Sequence, residues 1–264
     1  MSLPITKDTQ ISIIIPVYNE EHNIIPLLDE IKEKVSTKYI AYVIYDFEED
    51  TTLRKMEEIE GKFTNIHFVK NRFEANVIGA FKTGFEISET KYMVPIMADL
   101  SDMPETVDKL YRKIQEGYDL VIASRYMSGG DKIGGPKFKK TLSKFMNSMV
   151  FHLTKLPAHD MTNAFILYRK EFIKSIEIQS TGGFEITLEI IAKAYENNWK
   201  IVEVPTINRE RLTGQSKFRS IEWSLNYLYW FFYILNVDIQ KRFKQNPINS
   251  SSGHFSATKI KLDK

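Results

Sequence analysis

A lone carboxylate, Asp99, closes an apolar run, and far downstream the chain carries Arg211-Leu-Thr-Gly214-Gln-Ser216-Lys217. The stretch Tyr92-Met-Val-Pro-Ile-Met97-Ala-Asp99-Leu-Ser-Asp102-Met-Pro-Glu105 reads as strand, carboxylate, turn and helix start. A carboxylate at the carboxyl end of a strand faces the crevice in which open α/β sheets bind ligands. Hard oxygen at that place suits Mg²⁺ or Mn²⁺ carrying phosphates. The basic run suits a second anion. Together they point to one partner with a diphosphate and another that bears a phosphate.

The elements that must position these groups alternate. Residues 11–15, Ile-Ser-Ile-Ile-Ile, form a run dominated by β-branched residues and stopped by Pro16, as in a strand buried on both faces. A helix opening at Asn19 or Glu20 follows, with Ile24, Leu27, Leu28 and Ile31 at helical spacing. Strands are expected at 42–45, 66–69, 92–96 and 120–123, and helices up to Glu60 and over 75–88 and 105–115. Such alternation predicts an α/β fold with a mostly parallel sheet covered by helices. After Arg125 the rhythm changes. Gly129-Gly130 and Gly134-Gly135-Pro136 predict a flexible loop. A basic helix over 139–153, a strand at 165–168, a helix over 184–195, a strand at 201–204 and a long helix over 218–243 complete the pattern. The division expected is a catalytic domain over 10–220, an aromatic helix over 221–244 and a disordered tail over 245–264.

The 264 residues suffice for one large α/β domain. A net charge of +2 gives no ground for nucleic-acid binding. The chain has no cysteine, which excludes disulfides and thiolate catalysis. No basic segment followed by an apolar one opens the chain, so a cytoplasmic protein is expected. The most apolar stretch, 225–237, is shorter than a membrane span and contains Asn226 and Asn236. Its Tyr, Trp and Phe content suits either a helix packed on the domain or a twin subunit, or one docked at a bilayer surface.

Several motifs weigh against other chemistries. The first strand ends in Pro16-Val-Tyr18-Asn19-Glu20-Glu21-His-Asn23, without the glycine-rich turn of a dinucleotide-binding domain. That segment is also neither glycine-rich nor basic, as a nucleotidyltransferase would need. Pro136 follows Gly134-Gly135 where a phosphate-binding loop would need Lys and Ser or Thr. Tyr18 and Glu20 suit stacking on and bonding to a nucleoside, and Asp46 in the acidic turn 46–50 suits a base or ribose. Arg125 suits a fork onto phosphate, with Lys137, Lys139, Lys140 and Lys144 following. His159-Asp160 suits proton transfer.

Taken in order, PVYNEEHNI, DFEEDTT, MADLSDMPE, SRYMSGG, HDMTNAF and RLTGQSKF resemble family 2 glycosyltransferases of GT-A fold over about residues 10–220. Within that family the pattern is similar to the dolichol- and polyprenyl-phosphate mannosyltransferase type. The resemblance implies a Rossmann-like α/β sheet with a long C-terminal helix. It also implies inverting transfer from a nucleotide-diphosphate sugar to an acceptor, either a polyprenyl phosphate or a glycan. Pro16, Tyr18, Glu20 and Asp46 would line the nucleoside pocket. Asp99 would hold the metal, Mg²⁺ or Mn²⁺, with Ser101 or Asp102. Arg125, Lys140, Ser143, Arg211 and Lys217 would hold phosphates, and Asp160 and Ser216 would also meet substrate. Asp99, Asp102 and Arg211 are the expected catalytic set. For a hydroxyl acceptor, Asp102, Asp160 or Glu185 would take the proton.

The chain departs from the pattern at three places. Tyr45 replaces the first of two paired aspartates, Met97 replaces the first acid of Asp-X-Asp, and Ile166 stands where an Arg is usual. The missing acids also leave room for a scaffold that binds a sugar nucleotide without turning it over.

Overall fold

The computed structural model describes residues 9–58, 61–135, 137–210 and 220–245. In chain order the elements are β1 (Ile11–Pro16), α1 (Ile24–Lys34), β2 (Tyr39–Tyr45), α2 (Thr51–Glu57), β3 (Ile66–Lys70) and α3 (Val77–Ile87). Then come β4 (Tyr92–Pro95), α4 (Thr106–Gln115), β5 (Leu120–Ser124), β6 (Asp131–Lys132) and α5 (Lys137–Leu153). The remainder is β7 (Ile166–Arg169), α6 (Lys170–Ser175), α7 (Ile186–Glu196), β8 (Ile201–Pro205), β9 (Ile207–Asn208) and α8 (Ser220–Gln245).

Seven strands form one sheet in the order β3-β2-β1-β4-β7-β5-β8. All pairings are parallel except those of β7, which runs antiparallel between β4 and β5. The β-branched run of β1 shows why the sheet must be covered twice. Ile13 and Ile15 pack with Leu27, Leu28 and Ile31 of α1 and with Val107 and Leu110 of α4. Ile14 points the other way, into a core with Phe81 and Phe85 of α3, Ile190 of α7 and Phe231 and Ile234 of α8. Successive strand residues face opposite sides, so a strand buried at every position needs helices on both. Gly84 lets α3 lie against β1, because a Cβ there would come within 2.5 Å of the Ile14 side chain.

Three elements escaped the sequence. The expected flexible loop after Arg125 contains β6, which pairs in parallel with β9 in a second, two-stranded sheet. Neither strand has an apolar run to announce it; backbone bonding across the loop makes them, with Asp131 donating to Thr206 O at 3.0 Å. The short helix α6 follows β7 directly. The first helix begins at Ile24, and residues 21–23 form a turn instead. Glu20 O caps that turn by accepting from the N–H groups of Asn23 and Ile24.

Candidate active site

Parallel strands place their carboxyl ends on one edge of the sheet, so the residues that follow β1, β2, β4, β5 and β8 gather there. Because β7 is antiparallel, its leading segment, 159–165, reaches the same edge. The predicted residues that follow β1, β2, β4 and β5, with those that lead into β7, therefore share that edge although they are far apart in the chain.

At the β4 end the chain turns sharply. Leu100 has φ of 61°, a region that costs a residue with a Cβ about 1–2 kcal/mol. That turn lets Ser101 N–H donate to Asp99 Oδ1 at 3.1 Å and leaves Asp99 half-buried at the edge. Asp102 lies behind it, buried. Its Oδ2 accepts from Met97 N–H at 3.2 Å and its Oδ1 from Asn208 Nδ2 at 3.3 Å. Burial first, and the Asp99 charge second, push the Asp102 carboxyl up to about 7. Met97, the residue at the missing first acid, thus serves the second aspartate through its backbone. The Ser101 carbonyl accepts from Asn208 Nδ2 and Arg209 N–H, and Arg209 is held in turn by Glu30 at 2.8 Å.

Two neighbouring carboxylates fit a hard divalent cation provided a ligand brings further oxygens. Among the described residues no three His, Asp or Glu side chains gather as a metal cage. Mg²⁺ sites that serve phosphates are built this way, from one or two carboxylates and phosphate oxygens. A cation there would also relieve the repulsion between Asp99 and Asp102.

At the β1 and β2 ends, Pro16 is buried and Tyr18 lies edge-on to Phe47, with ring centroids 5.4 Å apart. Asn19, at φ of 54°, joins the two segments: its N–H donates to Asp50 Oδ1 at 3.0 Å and its side chain accepts from Thr51 N–H. Glu20 N–H donates to Thr52 Oγ1, and Glu20 Oε2 accepts from Asn23. Asp46 accepts from Asn71 Nδ2 at 2.7 Å. Burial raises the Asp46 carboxyl above its ordinary value, and the nearby Asp50 charge adds to this. An aromatic platform beside a carboxylate is a chemistry that suits a nucleoside. Phe47 and Asn71 were missed; Phe47 was hidden among the acids of its turn.

At the β5 end, the Arg125 fork is already engaged. Its Nε and Nη2 donate to Asp160 Oδ2 and Oδ1 at 2.7 and 2.9 Å, and Nη2 also donates to Thr162 Oγ1. Burial alone would raise Asp160, but Arg125 outweighs it and holds the carboxyl below its usual value. The guanidinium expected to fork onto a phosphate is instead forked onto Asp160, as a clamp that braces the edge. The expected His159-Asp160 proton pair is likewise split, since His159 Nδ1 lies 2.7 Å from Glu203 Oε2.

Ser143 joins the Arg125 network: it accepts from Tyr126 at 3.0 Å and lies 3.1 Å from Thr162 Oγ1. Asn147, unforeseen, donates to the Ser143 carbonyl and accepts from Met161 N–H. Lys140 bends back to the Lys132 carbonyl and Asp131. Arg211, Ser216 and Lys217 lie outside the described residues.

The glycosyl transferase family 2 model matches residues 12–177. A dolichol-phosphate mannosyltransferase of Pyrococcus furiosus is 31% identical over 80% of this chain, and a polyprenol monophosphomannose synthase of Mycolicibacterium smegmatis is 27% identical over 81%. The matches span 59% of the first relative's length and 86% of the second's. Among solved structures, glucosyl-3-phosphoglycerate synthase from Mycobacterium tuberculosis, in complex with Mn²⁺, UDP and glucosyl-3-phosphoglycerate, superposes with a TM-score of 0.63. That match has 14% identity and covers 87% of this chain and 80% of the other. At that identity the likeness speaks for the fold.

Proposed function

The chain belongs to glycosyl transferase family 2, and from that premise we propose that it transfers a sugar, with inversion, from a nucleotide-diphosphate sugar to a polyprenyl phosphate. The observation that carries this reading is the pair Asp99 and Asp102 at the carboxyl edge of β4. A half-buried carboxylate backed by a buried one, which burial first and the Asp99 charge second push up to about 7, suits a cation and its anionic ligand. The names of the curated relatives, which act on dolichol or polyprenol phosphates, support the acceptor class.

In this reading Tyr18 stacks on the base with Phe47 edge-on behind it, and Asp46 and Glu20 bond the nucleoside. Asp99 and Asp102 hold Mg²⁺ or Mn²⁺, with the Ser101 segment fixing their turn. The bound cation supplies charge stabilisation to the departing diphosphate. A phosphate acceptor is already anionic and needs no base, so Arg211, Ser216 and Lys217 would only bind and orient it. The Arg125–Asp160 clamp, with Ser143, keeps the β5 end rigid and its charge fixed beside the cleft.

The acceptor class also calls for a bilayer surface. Among the described residues no helix is long and apolar enough to cross a membrane. However, α8 turns Leu225, Tyr229 and Phe232 outward while Trp230, Phe231 and Ile234 enter the core. Neighbouring α5 exposes Phe138, Leu142 and Phe145 next to Lys144. Aromatic and basic residues on two packed helices suit peripheral docking on anionic lipid.

The test is calorimetry with UDP- and GDP-sugars, with and without Mn²⁺, beside a product assay on polyprenyl phosphate. Metal-dependent binding and product are expected, and Asp99→Ala should lose both. Full turnover by Asp99→Ala refutes the metal assignment. Binding without product across an acceptor panel identifies instead a degenerate sugar-nucleotide scaffold, the alternative that the missing acid at Met97 favours.

A further inference from the structure

Glu185 introduces α7 and is wholly buried. Its Oε1 accepts from Gly182 N–H at 2.7 Å and from Asn226 Nδ2 at 3.3 Å. Its Oε2 has no hydrogen-bond partner among the described residues, and neither does Ser180 Oγ, on a residue only 5% exposed. A buried carboxylate oxygen without a donor is costly, and native structures seldom tolerate one without a reason. Both residues line one partly open cavity, of about 180 Å³, which Asn226, Tyr229 and Trp230 of α8 also line. That volume equals roughly six waters, too small for a nucleotide and suited to a single sugar ring. The lining combines unsatisfied acceptors with aromatic side chains, a chemistry that fits hydroxyl groups on an apolar ring face.

Topology puts the cavity beside the active site. Helix α7 leads into β8, which runs parallel to β5, so its first turn lies at the carboxyl edge that carries Asp99 and Arg125. Thr187 Oγ1 bonds the Met161 carbonyl at 3.3 Å, fixing that turn to the segment that holds Asp160. The Tyr227 hydroxyl lies within electrostatic reach of both Glu185 and Arg125.

We propose that Glu185 and Ser180 are specificity-determining residues, whose free oxygens accept hydrogen bonds from hydroxyl groups of the sugar being transferred. This rests on the reading that the donor is a nucleotide sugar. The departing diphosphate stays with Asp99 and Asp102, while the sugar reaches into the α7–α8 cavity.

Calorimetry on the full chain would compare UDP with UDP-glucose, and GDP with GDP-mannose, in Mg²⁺. Wild type, Glu185→Gln and Ser180→Ala would each be tested. Glutamine keeps an oxygen for Gly182 and Asn226 but lacks the charge. A hydroxyl bonded to a carboxylate contributes enough that its loss costs about tenfold or more in affinity. All three proteins should bind each free nucleotide within about twofold. The gain from adding the preferred sugar should fall about tenfold in Glu185→Gln and less in Ser180→Ala. Unchanged sugar preference in Glu185→Gln overturns the proposal, as does a wild type that gains nothing from either sugar while binding nucleotide in a metal-dependent way. Should no nucleotide bind, the donor reading itself fails. Saturation-transfer NMR with free glucose and mannose then judges the cavity alone: a wild-type signal lost in Glu185→Gln supports it, and no wild-type signal overturns it.

Discussion

Asp160 grips Arg125 through three bonds, two from the guanidinium and one from the Arg125 backbone N–H at 3.0 Å, with the Asp160 side chain wholly buried and that of Arg125 8% exposed. Buried ion pairs of this kind gain little over an apolar pair, but a broken one leaves a charge stranded. Asp160→Asn should therefore destabilise the protein by about 3–5 kcal/mol in urea unfolding. Arg125→Met with Asp160→Leu should recover much of that loss. A single variant as stable as wild type would show that the clamp does not brace the edge.

The two carboxylates of the β4 turn predict an unusual pH dependence. Asp102 sits at about 7 in the folded chain against 3.8 ordinarily, so the folded state holds the extra proton between those values. Its contribution to stability is fully present below about 4 and is lost as pH rises through 7. Relative to Asp102→Asn, wild type should lose melting temperature between pH 5 and pH 8. Mn²⁺ should raise the wild-type melting temperature more at pH 8 than at pH 5. Parallel melting curves for the two proteins across that range would remove Asp102 from the site.

Lys217 belongs to the basic run that the acceptor reading depends on. Lys217→Ala should raise the KM for polyprenyl phosphate about tenfold, the equivalent of one charge-assisted bond. Donor binding by calorimetry should stay within about twofold. Equal loss of donor and acceptor binding would place Lys217 on the nucleotide side.

The exposed aromatic residues of α5 and α8 predict flotation with vesicles of anionic lipid. Phe138→Ser with Phe232→Ser should reduce the bound fraction more than tenfold, since each buried aromatic contributes about 1.5–3 kcal/mol. Wild type that stays in solution with such vesicles would argue instead for a protein surface over these helices.

The amino-acid sequence by itself determined the α/β alternation, because periodicity is a local property: 3.6 residues in α1 and α4, and short apolar runs rich in Ile, Val and Tyr in β1 and β2. It also determined that Asp99 lies in the turn after a buried strand, although that strand stops at Pro95, four residues short of the expected carboxylate end, and the order of six short motifs was enough to indicate the family. Only the tertiary structure decided which residues share an edge. The antiparallel insertion of β7 brings Asp160 to Arg125, and the pairing of β6 with β9 turns a glycine-rich loop into structure. The tertiary fold also backs Asp99 with Asp102 and Asn208, and closes α8 over the two acceptors left at Glu185 and Ser180. These relations depend on strand order and on burial, where a charge's partner is set by what the fold places within 3 Å and not by its neighbours in the chain.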